Sequence, residues 1–254
     1  MSRIVLASFL ALGGCLVVDA PSNHMGGGDS DASAPDAGLA PVPATSACAS
    51  VAAVACQGYE NCCDTHNVSM SDCVSAIETN CARNIGPLLA DSRTGYDPEI
   101  AAQVLAEGRM LVAHCDPGIV AWYSSRTGLE RVFQGTLPGG RTCATMANDA
   151  AAYFSCRDLM YGCIGDASSG FTCSMRRDAT LSCHVDADCV EADYCEGLSA
   201  GSNPIFGFPG HCQRRLRDGA ACTTASACMS YVCDTSTTHQ CVAATQQAAY
   251  CGFH

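Results

Sequence analysis

Twenty-one cysteines in 254 residues constrain this chain more than any other feature. Cys15 ends an N-terminal apolar run, and the others lie between Cys48 and Cys251. Setting Cys15 aside leaves twenty, an even number. A dense, even set in an exported chain reads as a disulfide framework. Its members are Cys48, Cys56, Cys62, Cys63, Cys73, Cys81, Cys115, Cys143, Cys156, Cys163, Cys173, Cys183, Cys189, Cys195, Cys212, Cys222, Cys228, Cys233, Cys241 and Cys251. Closing a loop of about 15 residues is worth roughly 3 kcal/mol by chain entropy, so a few bridges rival a hydrophobic core. That matters here, because Ala and Cys inflate the 48% apolar fraction and aromatics supply only 6%. Structural zinc favours C-x2-C pairs, and none occurs in this chain. The same absence argues against a thioredoxin-like redox motif. The sequence therefore predicts disulfides, with no metal and no cofactor.

The N-terminus supplies the export signal. Arg3 is a short positive region, and Ile4–Leu12 is an apolar run too short to span a bilayer. It ends in Leu12-Gly13-Gly14-Cys15. This resembles the bacterial lipobox, a Leu, two small residues and a Cys that is lipidated and becomes the new N-terminus. The resemblance implies that residues 1–14 are a signal peptide and that Cys15 carries the anchor. Several acyl chains make such attachment lasting. Leu16 stands where an Asp would signal inner-membrane retention, so the expectation is an outer-membrane lipoprotein, periplasmic or surface-exposed. Membrane contact is expected through lipid alone: the longest later apolar stretch, Ile100 to His114, is interrupted by Gln103, Glu107 and Arg109. The formal charge is −12 and every basic residue is Arg. A chain so acidic lacks the surface that offsets phosphates, which excludes nucleic acid as a partner.

Residues 15–46 are almost wholly Asp, Ala, Pro, Gly and Ser beyond Asp19, a composition too polar to offset ordering entropy. They read as a disordered tether. Residues 47–135 read as a helical domain. Ser46 is a candidate cap for a helix over Ala47–Gln57. Ser69-Met-Ser-Asp72 opens a second helix, with Cys73, Ile77 and Cys81 on one stripe. Asp97-Pro98-Glu99 opens a third, with Ile100, Val104, Leu105 and Leu111 as its apolar face, and Asp116-Pro117-Gly118 stops it after His114. Cysteines on apolar helix faces are placed to staple one helix to the next.

From residue 136 to 254 the chain turns Cys-dense, irregular and repetitive. Its cysteines fall into fours, starting at Cys143, Cys183 and Cys222, and nine residues separate one unit from the next cysteine each time. The linkers Arg176-Arg177-Asp178 and Arg214-Arg215-Leu216-Arg217-Asp218 are alike. Self-similarity with a period of about 40 residues marks tandem modules, here about 136–182, 183–216 and 217–254. The fold class expected is α plus small disulfide-rich modules: a Cys-stapled helical domain, then turn-rich Cys repeats with few short strands. Parity adds one inference. The helical half holds seven cysteines and the three units twelve, so Cys251 is left over. If each unit closes on itself, Cys251 must pair with the helical half.

The spacing Cys183-His-Val-Asp-Ala-Asp-Cys189, Asp193-Tyr-Cys195, Gly210-His-Cys212 and Asp218-Gly-Ala-Ala-Cys222, followed by Cys228 and Cys233, is similar to the Dickkopf N-terminal cysteine-rich type. The likeness covers residues 183–241 well and 143–173 loosely. It implies a small disulfide module that displays loops to a partner. Receptor antagonism, tied to the family name in animals, is not implied, because a shared fold does not carry function.

Other patterns suggest chemistry and lack its context. Gly197-Leu-Ser199-Ala-Gly201 matches G-x-S-x-G, but no apolar strand precedes it to form a nucleophile elbow. Asp186, Asp188, Glu191, Asp193 and Glu196 offer the oxygens that Ca²⁺ takes, yet Cys189 and Val190 break an EF-hand pattern. A solvated acidic face is the plainer reading. His24, His66, His114, His184, His211, His239 and His254 are scattered without a paired nucleophile, and Asn67-Val-Ser69 is a chance sequon beside a bacterial signal. No catalytic residue is assigned. The functional expectation is an exported interaction or structural protein of the envelope, binding an unknown protein or glycan. An enzyme inhibitor is the alternative, ranked above a hydrolase.

Overall fold

The structure, a computed structural model, describes residues 39–63, 68–144, 149–166, 169–183, 186–197 and 210–251. Cys15, most of the tether, Ser199 and the loop 198–209, and His24, His66, Asn67, His184 and His254 lie outside the described residues.

Five helices form the first half: α1 (Ala44–Cys62), α2 (Met70–Asn84), α3 (Gly86–Ala90), α4 (Pro98–Ala113) and α5 (Ile119–Ser124). Helix α1 starts before the expected residue. Pro43 occupies the cap with its fixed φ of −66°, and Ser46 lies inside the first turn, its hydroxyl donating to the Pro43 carbonyl. Helix α2 begins as its capping pattern requires, Ser69 Oγ accepting from the Asp72 amide at 3.2 Å. Two bridges, Cys48–Cys81 and Cys56–Cys73, tie α1 to α2 as an antiparallel pair. The cysteines are eight residues apart on each helix, roughly 12 Å along the axis. The bridges therefore fix both register and crossing of the pair.

Helix α4 is capped by Asp97, which accepts from the amides of Glu99 and Ile100 at 2.9 and 3.0 Å. Its buried face (Ala101, Val104, Leu105, Val112) packs on α1 around Val54 and Tyr59. Ile100 and Leu111 are only partly buried, at the margin of this core. Asp116 ends the segment by accepting from the Gly118 amide, and α5 follows at once. That helix inserts Trp122 against Gly108 and donates its indole N–H to the Val104 carbonyl at 3.0 Å.

The second half holds short strands: β1 (Thr142–Ala144), β2 (Tyr161–Asp166), β3 (Gly170–Met175), β4 (Ser182–Cys183), β5 (Asp193–Glu196), β6 (Gly210–Arg214), β7 (Cys233–Asp234) and β8 (Gln240–Cys241). They form antiparallel sheets of order β1-β3-β2, β4-β6-β5 and β7-β8. In the third sheet the outer strand is reduced to a single bridge between Ala221 and Gln240. The last strand of each unit is thus the one that both others pair with.

All three units share one disulfide pattern, first cysteine to third and second to fourth. The pairs are Cys143–Cys163 and Cys156–Cys173, Cys183–Cys195 and Cys189–Cys212, Cys222–Cys233 and Cys228–Cys241. The backbone repeats with them. Three residues before the first cysteine stands a residue in the left-handed region: Gly140 (φ 79°), Thr180 (φ 80°) and Gly219 (φ 85°). Each donates its N–H to the carbonyl of the unit's fourth cysteine at 2.7–2.8 Å. A parallel bridge recurs too, from Leu137, Arg177 and Leu216 to the second cysteine of each unit. Glycine takes positive φ freely, whereas a β-branched residue there is strained. Exposed Thr180 keeps the turn because hydrogen bonds and a bridge hold both flanks. Thr180→Gly is expected to raise stability by about 0.5–1 kcal/mol. An unchanged or lower urea midpoint would show that the turn is relaxed with Thr.

The chain's end returns to its beginning. Helix α6 (Gln246–Tyr250) packs on α1, and Cys251 bridges Cys63, a cysteine of the helical half as parity required. Tyr250 is buried, its hydroxyl 2.8 Å from the Asp116 carbonyl and 3.1 Å from that of Leu111. Gly58 makes room for it: a Cβ there would lie 2.7 Å from the Tyr250 ring. The neighbouring Cys62 pairs with Cys115, so the end of α1 is tied to both α4 and the C-terminus. No helix among the described residues is long and apolar enough to cross a membrane.

Candidate functional site

The acidic run does not converge. Asp186 Oδ1 accepts from the Cys195 amide at 2.7 Å, and Glu191 Oε1 accepts from the Tyr231 hydroxyl at 2.9 Å. Asp193 is buried beside Arg214 at 3.5 Å, and Glu196 accepts from Tyr194. These four carboxylates turn to separate neighbours, and Glu191 joins the second unit to the third. Among the described residues, sets of three candidate ligand atoms close enough to share a metal occur at cysteines of the three units. Those sulfurs are spent in bridges, and a disulfide sulfur is no thiolate ligand. His114, His211 and His239 are exposed.

The units are coupled by basic linkers. Arg215 stacks over the Tyr231 ring at 4.5 Å and donates to the Glu191 carbonyl, while Tyr231 reaches Glu191. Arg176 donates to the Leu159 carbonyl, and Arg177 donates to Ser182. Between the helices and the first unit, Arg93 grips Asp91 and Asp149 and reaches the Cys143 carbonyl. The guanidinium hydrogen bond holds the Asp91 carboxyl below its ordinary range.

Behind these contacts lies a pair of charges that sequence reasoning did not single out. Arg126 and Glu130 follow α5, and the field they share includes Arg176 and Glu191 of the units. Burial pushes the Glu130 carboxyl up and the Arg126 guanidinium down from their usual ranges, with each partly offsetting the other. Burial likewise brings Arg176 down to about 9. The signal in the sequence was only an Arg and a Glu four residues apart, a spacing that ordinarily marks a solvated helix face.

Glu130 also lines a cavity of about 80 Å³, walled by α1, α2, α3, α4, Leu129–Phe133 and Phe154 of the first unit. Its walls are almost all carbon, from Val51, Leu88, Leu105 and Phe133 among others. Four lining side chains bear oxygen or nitrogen: Asn84, Tyr96, Tyr123 and Glu130. Asn84 donates its amide to Asn80, and Tyr96 its hydroxyl to the Val42 carbonyl. The Tyr123 hydroxyl is buried and has no hydrogen-bond partner among the described residues.

Comparison with known proteins returned no match among protein-family models, curated proteins or solved structures. Ten disulfides, with a cysteine-rich α-plus-small-strand architecture, fit an exported protein in an extracellular or periplasmic setting.

Proposed function

We propose that this chain is an exported lipoprotein, held by acyl chains on Cys15, whose stapled body serves the outer envelope by binding a protein or glycan partner. The observation that carries the reading is the ten-bridge framework, which needs an oxidising compartment and spends every cysteine from Cys48 to Cys251. Cys15 is then the single cysteine left for another task. The shared pairing of the three units supports tandem modules of the Dickkopf type. Met160, Met175 and Met229 stand about 60% exposed on the first and third units, and flexible thioethers at a surface suit adaptable contact.

The test is intact mass and fractionation of the full chain expressed in a bacterium that processes lipoproteins. The wild type should start at Cys15, carry acyl chains and travel with membranes. Cys15→Ser should be released, with all bridges formed. Unmodified Cys15, or membrane attachment that survives the substitution, would overturn the anchor. For binding, a photo-crosslinker placed at position 160 or 229 should give one defined adduct in the envelope and none when placed at buried Val54. Equal labelling at all three positions would count against a module-borne partner surface.

A further inference from the structure

Interiors of proteins pack like organic crystals, and voids larger than a water are few. The partly open cavity of about 80 Å³ between the helices and Phe154 is such an exception. It is well above the roughly 10–15 Å³ that one water needs and below the roughly 150 Å³ of an apolar cavity that takes benzene. A water at the Tyr123 hydroxyl would leave most of the space unfilled, because the remaining walls are largely carbon. The polar groups that face the space are also unequal. Asn84 gives one amide hydrogen to Asn80, and Tyr96 gives its hydroxyl to Val42. Tyr123 has a buried hydroxyl with no partner. Glu130 lines the space as well. An orphaned buried hydroxyl is costly unless something answers it.

We infer that this cavity is a binding site for a small uncharged molecule built of a short aliphatic segment and one hydrogen-bonding group, the segment lying among Val51, Leu88 and Leu105 and the polar end meeting Tyr123. A charged ligand would lose its hydration against carbon walls. An anion would also meet Glu130 in a protein of formal charge −12. The site is walled mainly by the helices, with Phe154 of the first unit at its edge, and it takes a small molecule, so its test reads out separately from that of the macromolecular partner.

The experiment is calorimetric titration of the mature, fully oxidised chain with straight-chain primary alcohols from ethanol to hexanol, with xenon binding followed by NMR as the purely apolar comparison. Saturable one-site binding is expected for the alcohols, tightening with chain length and weakening again once the chain outgrows the space. Ala101→Leu fills the cavity from α4 and should weaken alcohol binding at least about tenfold. Tyr123→Phe keeps the ring and removes the hydroxyl, and should weaken the alcohols about tenfold while leaving xenon binding unchanged. Circular dichroism and a free-thiol count establish that each variant is folded, and if Ala101→Leu is not, Tyr123→Phe decides. Titration without saturation, or alcohol affinities that a folded variant leaves at the wild-type value, would overturn the site.

Discussion

Replacing Cys63 and Cys251 together by serine is expected to lower the unfolding free energy by about 3–5 kcal/mol. The bridge joins residues 188 apart. In the chain-entropy treatment an open loop of that length is worth about 5 kcal/mol. The six bridges nested inside it and Cys62–Cys115, which crosses it, already shorten the slack, which lowers the figure. The local consequences are specific. Without Cys251, α6 is held by Tyr250, by packing of Ala249 and by the Gln246 amide donating to the Cys62 carbonyl, and the α1 surface at Gly58 opens if the Tyr250 ring leaves. Denaturant unfolding under oxidising conditions measures the loss. A companion variant lacking Cys183–Cys195, which closes a separation of only 12, should lose less, about 2–3 kcal/mol. A loss below about 1 kcal/mol for the long bridge would sink the idea that closure of the chain's ends stabilises the fold.

The long bridge was legible because it rested on arithmetic. An odd cysteine outside three sets of four has one place to go, and Cys63 holds it there. The caps at Ser69 and Asp97 were legible because they are local, a side chain meeting an amide two or three residues on. The pairing inside each unit was not, since four cysteines allow three connectivities and spacing does not choose among them. The choice lies in the sheet, where the unit's last strand accepts both others. Thr180 hid one copy of the repeat, because the left-handed turn held by Gly140 and Gly219 there carries a β-branched residue. Ser46 misled because Pro43, already extended, caps α1 first. The cavity had no sequence signal at all. Tyr123 and Glu130 look like an ordinary aromatic and an ordinary acid until α2, α3 and α4 close around them, and closure is a property of the packing alone.

Trp122→Ala should cost about 4 kcal/mol, the range for truncating a large buried aromatic. The indole is 5% exposed, sits edge-on to Tyr123 with ring centroids 4.8 Å apart, and donates to the Val104 carbonyl. Its partner on α4 gives a sharper test. Glycine inside a helix ordinarily lowers stability by about 0.5–1 kcal/mol against alanine, so Gly108→Ala would be stabilising by propensity. Here the added Cβ would lie 2.6 Å from the Trp122 ring. The ring is pinned by its hydrogen bond and by Tyr123, so overpacking outweighs propensity and the variant should lose about 1–3 kcal/mol. The two residues then couple with opposite sign. Once Trp122 is alanine the space beside Gly108 is free, and Gly108→Ala in that background should turn stabilising by up to about 1 kcal/mol. The chain has a single Trp, so its fluorescence reports directly on this contact. A red shift is expected in Gly108→Ala as the ring is pushed outward. Additive effects in the double variant, with no change of sign, would mean that the helices of the stapled domain slide to accommodate a methyl group, and that the bridges fix less of its geometry than the packing of Trp122 on Gly108 implies.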